Sequence, residues 1–168
     1  MPPLPQNAFK TPLKKCLGFI ILRGIIRTMQ AEQGRVFIGR FKAKSDLLEA
    51  LTGLCKKEDI KLGVFNVIGA LTCAKLGYYK QDEQKYTECV SLDKKLEIAS
   101  CIGNISLMNS GIFVHAHVTL ADHTGTAYGG HLMPGSTVFA AEYCIRELKG
   151  APLKRTHDPE TGLNLWKL

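Results

Sequence analysis

The chain has 168 residues, 45% of them hydrophobic and 22% charged, a balance that excludes a disordered or collagen-like polymer and suits one globular domain with a real core. Its formal charge of +7 is unevenly placed: residues 1–28 carry Lys10, Lys14, Lys15, Arg23 and Arg27 without an acid, while the rest holds 17 basic against 15 acidic side chains. A body so close to neutrality lacks the broad positive field that drives non-specific DNA affinity.

Residues 1–30 read as a basic N-terminal extension, possessing Pro2, Pro3 and Pro5 and then an apolar run from Leu17 to Ile26. Arg23 and Arg27 interrupt that run before it reaches the roughly 18 apolar residues of a membrane span, and no clean cleavage site follows it. A docked amphipathic helix and a targeting segment are the alternatives to a simple extension. Residues 31–168 are expected to form a single domain. Six cysteines, Cys16, Cys55, Cys73, Cys89, Cys101 and Cys144, stand singly without Cys-x-x-Cys spacing. They argue for reduced, mostly buried thiols in a cytoplasmic protein, and the interrupted apolar run argues for no membrane partner.

Val36 to Phe41 is β-branched and aromatic and predicts a short strand. The flanking Arg35, Arg40, Lys42 and Lys44 form the best local basic stripe, most simply a solvated face. Asp46 and Glu49 have capping-box spacing, and Leu47, Leu48, Leu51, Leu54 and Cys55 recur at helical period up to Lys56 and Lys57. Strands follow across Val64–Tyr79, with a break at Gly69, then across 85–91, 96–107, 111–121 and 126–132. Thr137–Leu148 is ambiguous between extended and helical structure, and 158–162 is a turn signal in the tail. One or two helices among six or more strands predict an α+β domain built on a large, mainly antiparallel sheet.

The chemistry concentrates in Gly111–Asp122. Ile112, Val114, Ala116, Val118 and Leu120 alternate onto one apolar face, so His115 and His117 share the opposite face with Phe113 and Thr119. Asp122-His123-Thr124-Gly125 predicts a hairpin loop at His123–Gly125, with Gly125 supplying a positive φ. Asp122 then opposes Thr126, and continuing that register sets His117 directly across from His131 with His115 on the diagonal. Opposed Cβ atoms about 4.5–5.5 Å apart allow three imidazoles to share one ion. The competing reading is three histidines on a wet hairpin or at a subunit interface. His123 at the loop tip and His157 in a polar turn are not favoured ligands. Glu142, the nearest acid downstream, is a candidate catalytic acid or base, or else an ordinary surface carboxylate. Gly129-Gly130-His131-Leu132-Met133-Pro134-Gly135 lacks the lysine of a phosphate loop.

His115-Ala116-His117-Val118-Thr119-Leu120-Ala121-Asp122, then Gly125, Gly129-Gly130-His131-Leu132, Gly135 and Ala140-Ala141-Glu142 resemble the signature of the PPC (plants-and-prokaryotes-conserved) domain family. Ile38-Gly39-Arg40-Phe41, Ile68-Gly69-Ala70-Leu71 and Leu76-Gly77-Tyr78-Tyr79 are similar to its earlier strands. The resemblance implies an α+β fold, a homotrimer, and association with DNA or regulatory proteins. Plant members carry an AT-hook for DNA, and its Arg-Gly-Arg-Pro core is absent from this sequence. The fold also resembles that of acetolactate decarboxylase, which holds zinc on three histidines; that analogy implies His115, His117 and His131 as zinc or other transition-metal ligands. Two functions are therefore carried forward: a non-enzymatic trimeric binding protein that contacts DNA or regulatory partners, and a zinc-dependent lyase or hydrolase acting on a small oxygenated substrate.

Overall fold

Strand alternation and one capped helix account for nearly all of the architecture in the computed structural model, which describes residues 27–168. The apolar stretch of residues 17–26 lies outside the described residues. Gln30–Lys167 forms one compact unit. Its elements in chain order are β1 (Glu32–Phe41), α1 (Leu47–Lys57), β2 (Gly63–Lys80), β3 (Lys85–Leu92), β4 (Leu96–Met108), β5 (Gly111–Ala121), β6 (Ala127–Leu132), β7 (Thr137–Lys149), β8 (Arg155–His157) and β9 (Asn164–Trp166).

Helix α1 starts where the sequence predicts. Asp46 takes extended backbone angles and its Oδ1 accepts the Glu49 N–H at 2.8 Å, an N-cap of a kind worth about 1 kcal/mol. Its Oδ2 accepts the N–H groups of Gly135 and Ser136, so one carboxylate starts the helix and pins the β6–β7 turn. Leu47, Leu51 and Cys55 are fully buried on the inward stripe, while Lys56 and Lys57 complement the helix dipole in the last turn.

Seven strands form one sheet in the order β1-β7-β2-β4-β5-β6, with β3 on β2. All of its strand pairings are antiparallel. β2 organises the sheet. Its first half is flanked by β4 and β7, and its second half by β3 and, at Leu76 and Gly77, by β6. The succession β2-β4-β5-β6 therefore returns to β2 and closes a small ring. Phe65, Val67, Leu76, Cys101, Ile105, Val114, Ala116, Val118, Leu120, Leu132 and Ile145 fill its inner face together with the α1 stripe.

Two expectations are revised. Gly69 does not end a strand: with φ of 135° and a register shift between Val67 and Gly69, it is a bulge inside one continuous β2. Residues 137–149 are strand, because β7 is paired on both sides, with β1 and β2. The tail adds a two-stranded β8–β9 hairpin around the predicted 158–162 turn. Of the described thiols only Cys55 and Cys101 are buried, and none is in a disulfide. Burial pushes both of these thiols up to about 12, so they remain protonated at neutral pH.

Candidate metal centre

The site is a product of strand register. β5 turns its apolar residues inward, with Val114, Ala116, Val118 and Leu120 all buried, which leaves His115 and His117 on the outer face. The Asp122 main-chain N–H donates to the Thr126 carbonyl, and Gly125, at φ of 82°, donates to the Asp122 carbonyl at 2.9 Å. The Asp122 side chain holds the same turn. Its carboxylate accepts from Lys94 Nζ at 2.7 Å, from the Thr124 hydroxyl and N–H, and from the Tyr128 hydroxyl. Those bonds, the Lys94 one foremost, keep its pKa well below the usual carboxylate range. With the turn fixed, His117 pairs with His131 across β5–β6, as the alternation and loop length predict.

The three rings form a nearly equilateral triangle, with centroids 5.2 Å apart for His115–His117, 5.0 Å for His115–His131 and 5.4 Å for His117–His131. One nitrogen from each lies within 4.8 Å of the other two. A tetrahedral set with bonds of about 2.0–2.1 Å needs nitrogens about 3.4 Å apart, inside the 4.8 Å within which these lie. The fit has a second mark. His115 Nε2 and His131 Nδ1 are buried without a hydrogen-bond partner, an arrangement that costs about 1–3 kcal/mol per group unless something binds them. Burial first, then the charge of Arg155, pushes the His115 pKa down to about 4. His131 is lowered by burial, then by His117 and Arg155. Both rings are therefore neutral at pH 7, the form that donates to a metal.

A cavity of about 290 Å³ opens beside His115 and His131, lined also by Tyr86, Met108, Phe113, Arg155 and Leu163–Leu165. The Tyr86 ring packs on His131 at 4.7 Å. Arg155, brought in by β8, donates from Nε to Ser106 Oγ at 2.9 Å, from Nη2 to Asn104 Oδ1 at 2.8 Å and from Nη1 to the Asn164 carbonyl at 3.0 Å. Its Nη2 lies 3.4 Å from His115 Nδ1. No part of the sequence reading pointed to Arg155 or Tyr86; both reach the site only through tertiary packing.

The other candidates lie elsewhere. His123 and His157 are exposed and outside the triad. Glu142 sits on β7 opposite Arg40 and lines a different hollow, with Ile38, Asn66, Ile68 and Cys144. Arg35 is not a free cation of the basic stripe, since it pairs with Glu147 at 2.7 Å.

The Plants and Prokaryotes Conserved (PCC) domain, the PPC domain of the sequence comparison, matches residues 28–149. The chain belongs to that family. Among solved PPC-like structures, a metal-containing protein from Archaeoglobus fulgidus is 34% identical, with a TM-score of 0.80 over 85% of this chain and 100% of that one. A plant- and prokaryote-conserved protein from Pyrococcus horikoshii is 36% identical, with a TM-score of 0.79 over 85% and 98%. A candidate DNA-binding protein from Bacteroides thetaiotaomicron is 26% identical, with a TM-score of 0.73 over 82% and 96%. In sequence, the bifunctional protein GlmU of Synechococcus sp. (strain JA-3-3Ab) is 32% identical over 130 residues, which are 76% of this chain. The chain spans only 20% of that relative's length. Arg155 falls beyond the matched PPC segment.

Proposed function

We propose that this PPC domain is a self-assembling, metal-holding binding protein, with His115, His117 and His131 as the ligands of a zinc-type cation. The observation that carries the reading is the pair of buried, unpartnered ring nitrogens, His115 Nε2 and His131 Nδ1, within a three-histidine triangle. A three-nitrogen set leaves a fourth position for water or a ligand, and when bound the cation supplies Lewis acidity at that position. The metal-containing relative from Archaeoglobus fulgidus supports the reading. X-ray absorption on zinc-loaded protein tests it: about three imidazole nitrogens at about 2.0–2.1 Å are expected, and a shell of sulfur or of oxygen alone would sink it.

Self-assembly as a homotrimer, which the family resemblance implies, is supported by the outer face of the sheet. Ile38 is 79% exposed, Ile102 59% and Ile68 55%. Register places Ile38, Cys144, Asn66, Ile102 and His117 in one row across β1, β7, β2, β4 and β5. Large apolar side chains gathered on one face mark an interaction surface rather than a solvated one. The triad sits at the end of that row.

A second reading, contact with DNA, is favoured by relatives named as candidate DNA-binding proteins and by the basic residues before position 29. Arg40, Lys42 and Lys44 are exposed and form no ion pair among the described residues. A gel-shift series across salt decides it. A DNA contact weakens steeply as salt rises, and no shift at low salt with several duplexes removes it.

A further inference from the structure

We propose that the cavity between the three histidines and the β8–β9 hairpin binds a small monocarboxylate with an apolar body, its carboxylate held by Arg155. The proposal rests on the metal reading only for the part the cation plays; the carboxylate contact itself rests on Arg155.

Arg155 is a half-buried cation without a counter-ion among the described residues. Its hydrogen-bond partners are a serine hydroxyl, an asparagine side-chain carbonyl and a main-chain carbonyl, with a neutral imidazole nitrogen at 3.4 Å. No carboxylate among the described residues forms an ion pair with it. Burying a charge on neutral partners alone is costly, and the usual remedy is an anion. The guanidinium is also held rather than loose. Its carbon lies 5.2 Å from the Phe113 ring centre and 5.5 Å from that of Trp166, both within cation–π range. Ser106, which anchors Nε, is itself fully buried. A rigid cation carries little entropy cost when it captures a ligand.

The contact with His115 points the same way. Arginine only donates, so at 3.4 Å the His115 Nδ1 must accept, which leaves the ring proton on the unpartnered Nε2. Binding a cation through Nε2 calls for the opposite tautomer, with the proton on Nδ1. Two donors then face one another, and an oxygen that accepts from both resolves the conflict. A metal-bound histidine ordinarily gives its second N–H to such an acceptor.

Size and lining choose the ligand class. At about 290 Å³ the cavity is at the small end of ligand sites. Met108, Phe113, Leu163 and Leu165 give it apolar walls. The four contacts of the guanidinium leave one N–H on Nη1, and the tautomer change at His115 frees one on Nη2; a pair of N–H donors suits a planar carboxylate. Inorganic phosphate has the charge but no apolar body to fill these walls.

Trp166, the sole tryptophan of the chain, has its ring centre 5.5 Å from the Arg155 guanidinium carbon, so its fluorescence reports ligand capture by Arg155 with or without metal. The full chain, metal-free and zinc-loaded, is titrated with 3-methylbutanoate, its neutral amide 3-methylbutanamide, and inorganic phosphate. The expected result is a saturable fluorescence change with 3-methylbutanoate only, tightened by zinc, and weakened at least tenfold in Arg155→Gln while zinc is still retained. Arg155→Lys, which keeps the charge and loses the fork, is expected to fall between and carries the test if Arg155→Gln does not fold. Equal response to the amide or to phosphate, or parent-like affinity in the Arg155 variants, overturns the proposal. Failure to retain zinc with an Arg155-dependent carboxylate response intact overturns the metal reading and leaves the carboxylate site standing.

Discussion

Gly103→Ala should loosen the β4–β5 pair beneath the triad. Gly103 pairs with Ala116, and a Cβ built there falls onto the His115 carbonyl oxygen and the Phe65 Cζ, with Phe65 Cε1 at 2.7 Å. The phenyl ring can swing aside, but the carbonyl belongs to the strand that carries two of the three histidines. Ordinary contact begins near 3.4 Å, so the strands must part by on the order of 1 Å. Overpacking of this kind costs about 1–3 kcal/mol, at the upper end when backbone must move, offset by about 0.4–1 kcal/mol from the stiffer unfolded chain. A net loss of about 2 kcal/mol corresponds to a Tm lower by about 4–8 °C in a chain of this length. Because metal sites tolerate errors of only about 0.2 Å, zinc affinity should also fall by about tenfold or more. Thermal melts in chelator give the first quantity and competition with a chromophoric chelator the second. Gly111→Ala is the control, since its nearest neighbour is the Met108 carbonyl at 3.6 Å. A Gly103→Ala protein that melts with the parent would refute the reasoning.

The metal-free protein should lose stability in acid through His115 and His131. Their folded pKa values lie below the ordinary 6.5, that of His115 at about 4, so between those limits the unfolded chain binds more protons. The contribution is complete above pH 6.5 and declines as pH falls toward 4. Urea midpoints from pH 7.5 to 4.5 should show this slope, and replacing both histidines by asparagine should flatten it; an equally steep slope in the double variant contradicts the assignment. Ile38→Asp, on the exposed apolar row, should reduce the solution mass toward that of one chain without altering the circular dichroism spectrum. Retention of the parent assembly would move the interface elsewhere.

The hairpin was legible because its information is local. Asp122 to Gly125 set the turn, and strict alternation from Ile112 to Leu120 left only one face for His115 and His117, so the opposition of His117 and His131 followed from counting. The helix was legible for the same reason, through Asp46 and the Leu47, Leu51 and Cys55 stripe. β7 was not, because Val138, Ala141 and Ile145 sit in a run compatible with either period, and pairing with β1 and β2 decides it. Gly69 suggested a break because sequence does not distinguish a bulge from a turn. Arg155 was hidden for a different reason: it is separated from His115 by 40 positions and is delivered by a hairpin whose placement depends on Leu107 bridging to Lys154. Glu142, chosen for nearness in sequence, is carried by β7 to another part of the sheet.

Metal content by elemental mass spectrometry, on untagged protein loaded with zinc and then desalted, bears most directly on the triad. The parent should retain about one zinc per chain, and His115→Ala, His117→Ala and His131→Ala should each retain far less while remaining folded. Equal retention in parent and variants, or none in the parent, would contradict it.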